Sequence, residues 1–159
     1  MPIETSSTAK IRFNDCDPLG HLNNARYIDY MLNAREDHVE EHYPFSYQEM
    51  VAKTAATFVT VMNEIAYLKE VKYGQTVEIT SKIIELLGRT CKVEILMKHI
   101  TTGKILAVMW TNVIWFDLKT RTSAPIPEEL NGAFHDFIFE VEQKEFKQRA
   151  DYLRRQNKG

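Results

Sequence analysis

The chain has 159 residues, 44% of them hydrophobic, which supports one packed domain and excludes a disordered chain. Its formal net charge of −2 offers no electrostatic footprint for a nucleic-acid partner. Two cysteines, Cys16 and Cys91, are too few for a disulfide framework or a zinc site of their own, and read as reduced thiols of a soluble cytoplasmic protein.

In chain order, the opening residues carry no apolar signal core, and residues 1–9, polar from Thr5 to Thr8, are expected to fray. Lys10–Asn14 reads as a short strand with Ile11 and Phe13 on one face. Pro18 and Gly20 then break regular structure. Asn23 or Asn24 suits a helix N-cap, because the side-chain amide oxygen accepts from first-turn N–H groups. From Ala25 to about His42, Ile28, Met31, Leu32 and Val39 share one helical face. Tyr27, Tyr30 and Ala34 fall on an adjoining one, so the predicted helix is mostly enclosed by protein. Pro44 ends it.

The period then changes to two. Thr57–Leu68 predicts a long strand, bulged near Asn63 and Glu64. Thr76–Ile84, Cys91–Met97 and Ile105–Phe116 predict three more, with turns at Tyr73-Gly74, Leu87-Gly88 and Thr101–Gly103. No apolar run approaches the roughly 20 residues of a membrane span. The expectation is an antiparallel meander of four long strands, with the early helix as the element available to cover its apolar face. Pro125–Pro127 starts a second helix over about residues 127–157, with Glu128 and Glu129 suited to its dipole. Its basic end, with Arg149, Arg154 and Arg155, reads as a solvated helix terminus, the sharper alternative being a partner- or phosphate-facing tail. The class is α+β: one domain over residues 1–159, a curved antiparallel sheet wrapped around a long central helix, with an extra C-terminal helix.

The densest chemistry sits at the first strand-to-helix junction, Asn14 to Tyr27, which holds two acids, a thiol, an imidazole and two amides. Such junctions expose side chains and unpaired N–H groups together. This is the expected active site, with one carboxylate as its working group.

Arg12-Phe-Asn-Asp-Cys-Asp-Pro-Leu-Gly20 resembles the opening of the hotdog-fold acyl-CoA thioesterases, in particular the 4-hydroxybenzoyl-CoA thioesterase family. His21-Leu-Asn-Asn-Ala-Arg-Tyr27 resembles a variant of that motif found also in fatty acyl-carrier-protein thioesterases. Tyr73-Gly74, Leu87-Gly-Arg-Thr90, Gly103 and Trp115–Thr122 with Pro125-Ile-Pro127 fit as well, over about residues 10–130. The resemblance implies the hotdog fold and a hydrolase that splits an acyl-CoA or acyl-carrier-protein thioester into acid and thiol. It implies a homodimer or homotetramer with the cleft at the dimer interface. Coenzyme A enters as part of the substrate, with no other cofactor, no metal, no nucleic acid and no membrane partner expected. A non-catalytic acyl-thioester binding module on the same fold is the alternative.

Thioester hydrolysis needs a nucleophile, or a base acting on water, and a donor where the carbonyl oxygen gains charge. The family's catalytic aspartate falls on Asp17, as a nucleophile forming an anhydride or as a general base. The plain alternative is that Asp17 only caps a turn at Pro18. The resemblance also places on Asn24 the family's backbone N–H that polarises the carbonyl at a helix start, the plain alternative being an N-cap. His21 could orient Asp17, protonate the leaving thiolate or hydrogen-bond across the dimer. Asp15 reads as structural, orienting loop amides, and Asn23 as a capping residue at the substrate's edge. Cys16 lies between two acids that disfavour its thiolate, and Cys91 reads as core. Arg89, with Thr90 beside it, is the best candidate for gripping coenzyme A phosphates, or else a solvated turn arginine. Tyr27 and Met31 are acyl-pocket walls or core.

Overall fold

The computed structural model describes residues 4–158. Strands β1 (Thr5–Lys10), β2 (Ala56–Tyr67), β3 (Thr76–Leu87), β4 (Thr90–His99) and β5 (Ile105–Asp117) form one antiparallel sheet in the order β1-β3-β4-β5-β2. A short β6 (Thr122–Ser123) pairs with β5. The long helix α1 (Tyr27–His42) lies against β1, β3 and β4. This is the predicted α+β class: a curved antiparallel sheet around a central helix.

The expected four-strand meander is corrected to three strands. Tight turns at Gly88 and Gly103 join β3, β4 and β5 as neighbours. β2 instead pairs with β5 along its whole length, from Ala56 opposite Asp117 to Tyr67 opposite Ala107. The chain between β1 and β2 forms α1 and a further helix, α2 (Tyr47–Thr54), which cross beneath the sheet and carry β2 to the far edge. The bulge in β2 falls between Thr60 and Met62, a little before the expected position.

The N-terminal reading is also corrected. Thr5–Lys10 is an ordered strand paired with β3, while Phe13–Asp15 forms a 3-10 turn. Residues 1–3 lie outside the described residues. Thr5 and Ser7 order this polar segment because their hydroxyls find inward partners. Thr5 Oγ1 donates to the Ser81 carbonyl at 3.1 Å, and Ser7 Oγ lies 2.9 Å from His38 Nε2.

The main core joins Met31 and Val39 of α1 to Ile79, Ile95, Met97 and Met109 of the sheet. Each such side chain, fully buried, contributes about 1.5–3 kcal/mol. α2 escapes the period reading, although Ser46 and Glu49 form a capping box that the sequence carries openly. The predicted C-terminal helix is corrected to α3 (Glu128–Phe134), a 3-10 turn (His135–Phe137), an extended stretch and α4 (Phe146–Gln156). α4 covers the outer sheet face, where Ala150 and Leu153 pack on Leu96, Val108 and Trp110.

Candidate active site

The junction between β1 and α1 is built by a tight reversal. The Gly20 N–H donates to the Asp17 carbonyl at 3.0 Å, and Gly20 sits at φ +82°, where a Cβ is disfavoured. The chain turns back so that the Asp17 N–H meets the His21 carbonyl at 2.8 Å and the Leu22 N–H meets the Val71 carbonyl at 2.7 Å. Asp17 Oδ1 accepts from the N–H groups of Leu19, at 2.9 Å, and His21, at 3.0 Å. Asp17 therefore does cap its turn. Its Oδ2 has no hydrogen-bond partner among the described residues and is left for other work.

A 3-10 turn, Asn24–Arg26, leads into α1. Asn23 caps it: its side chain accepts from the Ala25 N–H at 3.0 Å, and its own N–H donates to the Asp15 carbonyl at 2.9 Å. The Asn24 N–H has no acceptor among the described residues, while its carbonyl accepts from the Tyr67 hydroxyl at 3.0 Å. Asp17, His21, Asn24, Tyr27, Tyr67 and Glu70 line one recess of about 300 Å³. On its other side, Asp17 lines a second recess of about 480 Å³ with Phe13, Cys16 and Tyr73. Phe13 and Tyr73 meet edge to face at 5.7 Å.

The His21 imidazole does not turn toward Asp17. Its Nε2 lies 3.2 Å from Glu70 Oε2, and only its backbone N–H holds the Asp17 carboxylate. Sequence reasoning missed Glu70 and Tyr67. Neither belongs to a local pattern, and both arrive through the pairing of β2 and the following segment with the rest of the fold.

Asp15 is structural in a different way from the one expected. Its Oδ2 accepts from the Tyr30 hydroxyl at 2.6 Å, and Oδ1 lies 3.9 Å from Arg26 Nε. The Tyr30 oxygen in turn accepts from the Arg12 N–H at 3.0 Å. The Cys16 thiol is pushed up by loss of solvation and then by Asp17 and Asp15, so it is held protonated. Cys91 is buried, and burial pushes its thiol up to about 12. Tyr27 lines the first recess from the core: it is buried, meets Tyr67 edge to face at 4.9 Å, and burial raises its hydroxyl to about 12. Met31 is fully buried core.

Arg89 and Thr90 are not brought to Asp17 within one protomer. Arg89 Nη1 donates to the Ser123 carbonyl at 2.8 Å, and Thr90 Oγ1 to the Leu87 carbonyl at 3.3 Å, both in the β3–β4 turn. Asp17's first recess opens near the other end of the sheet, and the ten residues of β4 span roughly 30 Å between the two ends. Among the described residues no helix is long and apolar enough to cross a membrane.

A sheet curled around one long helix is the hotdog fold, and it places a carboxylate and an unpaired N–H at that helix's start. Residues 11–134 match the thioesterase-like superfamily. Over 129 residues the chain is 30% identical to the long-chain acyl-CoA thioesterase FadM of Escherichia coli K12, covering 81% of this chain and 96% of that one. The probable thioesterase YbaW from Escherichia coli superposes with a TM-score of 0.74 at 26% identity, over 84% of this chain and 98% of that one. The hypothetical protein SAV2348 from Staphylococcus aureus, solved in complex with CoA, shares the fold with a TM-score of 0.78 at 16% identity, over 91% and 92% of the two chains. This chain belongs to the thioesterase-like superfamily.

Proposed function

We propose that this protein hydrolyses an acyl-CoA thioester, with Asp17 as nucleophile or general base and the Asn24 N–H polarising the carbonyl. One observation carries the reading: the half-free Asp17 carboxylate and the unpaired Asn24 N–H line the same recess. An attacking group and an oxyanion donor belong on two sides of one reacting carbon. Recesses on both sides of Asp17 suit the two arms of a thioester, the acyl group and the pantetheine. His21, paired with Glu70, delivers the proton to the departing thiolate. Acyl-carrier protein is the competing carrier of the same thioester.

The active form is a homodimer or homotetramer in the cytoplasm, working without a resident cofactor. β2 supports the dimer as a 12-residue edge strand that exposes Val61 and Met62. An edge of that length invites a second chain. Arg89 and Thr90 contribute to coenzyme A binding only if a second copy brings them to Asp17.

The test is a thiol-release assay over a panel of acyl-CoAs. Asp17→Asn should cut kcat by roughly 10²–10⁴-fold with circular dichroism unchanged; unchanged turnover would overturn the assignment. Single turnover in heavy-oxygen water separates the two mechanisms, since label recovered in Asp17 marks the anhydride route.

A further inference from the structure

Three cations are buried among the described residues, and they are not treated alike. Lys82 and Arg149 both meet the Glu94 carboxylate. Arg35, on the α1 face toward the sheet, has no carboxylate partner among the described residues. Its guanidinium uses two of its N–H groups on neutral hydroxyls, donating from Nη1 to Ser81 Oγ at 3.1 Å and from Nη2 to Tyr43 Oη at 2.9 Å. A guanidinium carries five such donors in a fixed fork, and a buried charge without a counter-charge is unfavourable. The nearby His38 adds no charge of its own near neutral pH, because burial and then Arg35 lower it to about 4.

Arg35 lines a cavity of about 420 Å³ between the C-terminal half of α1 and the start of β2. Leu32, Val39, Phe45, Phe58 and Phe134 supply apolar walls. Thr111 lines it too, is 2% exposed, and its Oγ1 has no hydrogen-bond partner among the described residues. Glu36 also lines it but is exposed and forms no ion pair with Arg35. An apolar cavity of this size with a few convergent polar groups has the form of a small-molecule site. It shares no lining residue with the Asp17 recess. Arg35 also lies eight residues along α1 from Tyr27, roughly 12 Å at 1.5 Å per residue.

We propose that this cavity binds the carboxylate of an organic acid with an apolar body, anchored by the Arg35 guanidinium with Thr111 as a second polar contact. The free N–H donors of Arg35 match a carboxylate, and the walls match a hydrocarbon or aromatic body. The carboxylate belongs either to a free acid or to the far end of an acyl chain held at Asp17. In both cases the recognition is the same, and it does not depend on the hydrolytic role of Asp17.

The test is calorimetric titration with decanoate and decan-1-ol. Wild type and Asp17→Asn should bind decanoate at least about tenfold more tightly than the alcohol, and Arg35→Gln should erase the difference. Equal binding of acid and alcohol by the wild type overturns the proposal, as does an acid preference that survives in Arg35→Gln. Should Arg35→Gln fail to fold, Val93→Phe, whose ring fills the cavity, decides: decanoate binding lost supports the site, and binding retained overturns it. The source follows from kcat/KM on decanoyl-CoA against the mono-CoA thioester of decanedioic acid. A wild-type preference for the dicarboxylic substrate that vanishes in Arg35→Gln assigns the far end of the chain. Equal rates, with decanoate binding intact, assign a free acid.

Discussion

At the scale of single residues, His21 and Asp17 are asked for unequal efforts. A thiol near pKa 8.5 leaves far more readily than an alcohol, so protonating it is a smaller task than attacking the carbonyl. His21→Ala should therefore cut kcat by about tenfold on acyl-CoA, well short of the loss in Asp17→Asn, as read in the same thiol-release assay. His38 carries a different prediction. Folding removes its proton affinity, lowering it to about 4 by burial and the Arg35 charge, against 6.5 in an unfolded chain. Between those values the unfolded chain binds more protons, so stability falls as pH drops from about 6.5 toward 4, by up to roughly 3 kcal/mol. His38→Gln should flatten the melting temperature across that window. At this scale the local geometry was legible: the turn that Asp17 caps and the Asn23 cap form among neighbours within four residues. Glu70, Tyr67 and the Arg35–His38–Ser81 cluster were not, since their partners lie 43 to 49 positions away.

At the scale of elements, α4 shows how a polar contact fixes a packing choice. Arg149 Nε and Nη2 donate to Glu94 Oε2 and Oε1 at 2.7 and 2.8 Å, and the Trp110 indole N–H donates to Oε2 at 2.8 Å. Burial alone would raise the Glu94 carboxyl, but Arg149, Trp110 and Lys82 outweigh it and hold it below its ordinary value. Arg149→Met leaves the buried Glu94 carboxylate with only Lys82 and Trp110 and should cost about 3–5 kcal/mol in urea unfolding, whereas Arg149→Met with Glu94→Leu should recover most of that. The strands β3, β4 and β5 were readable because period two and their turns act locally. The C-terminal helix was misread because Phe137, Ile138, Val141 and Phe146 keep helical spacing. Ile138 instead bridges to Ile83, and the Phe139 N–H donates to the Ile83 carbonyl at 2.7 Å.

At the scale of the whole molecule, the outer sheet face is covered by α4 and the inner face by α1, while the long edge of β2 is left open. Val61→Lys places a charge at the exposed bulge of that edge. It should shift the protein toward monomer in light scattering and reduce kcat/KM in parallel; a monomer with full activity would refute the interface-dependent cleft. The α+β class, the central helix, the four long strands and the tight turn of the Asn14–Tyr27 junction were determined by the sequence alone, because each is specified by residue periodicity or by turn and cap residues close together in the chain. The strand order, the pairing of His21 with Glu70, the clamping of the polar N-terminal strand and the unpaired Arg35 in its cavity were decided only by the tertiary structure. Each depends on which distant groups meet, and that follows from how α1 and α2 carry the chain across the sheet, not from any local pattern.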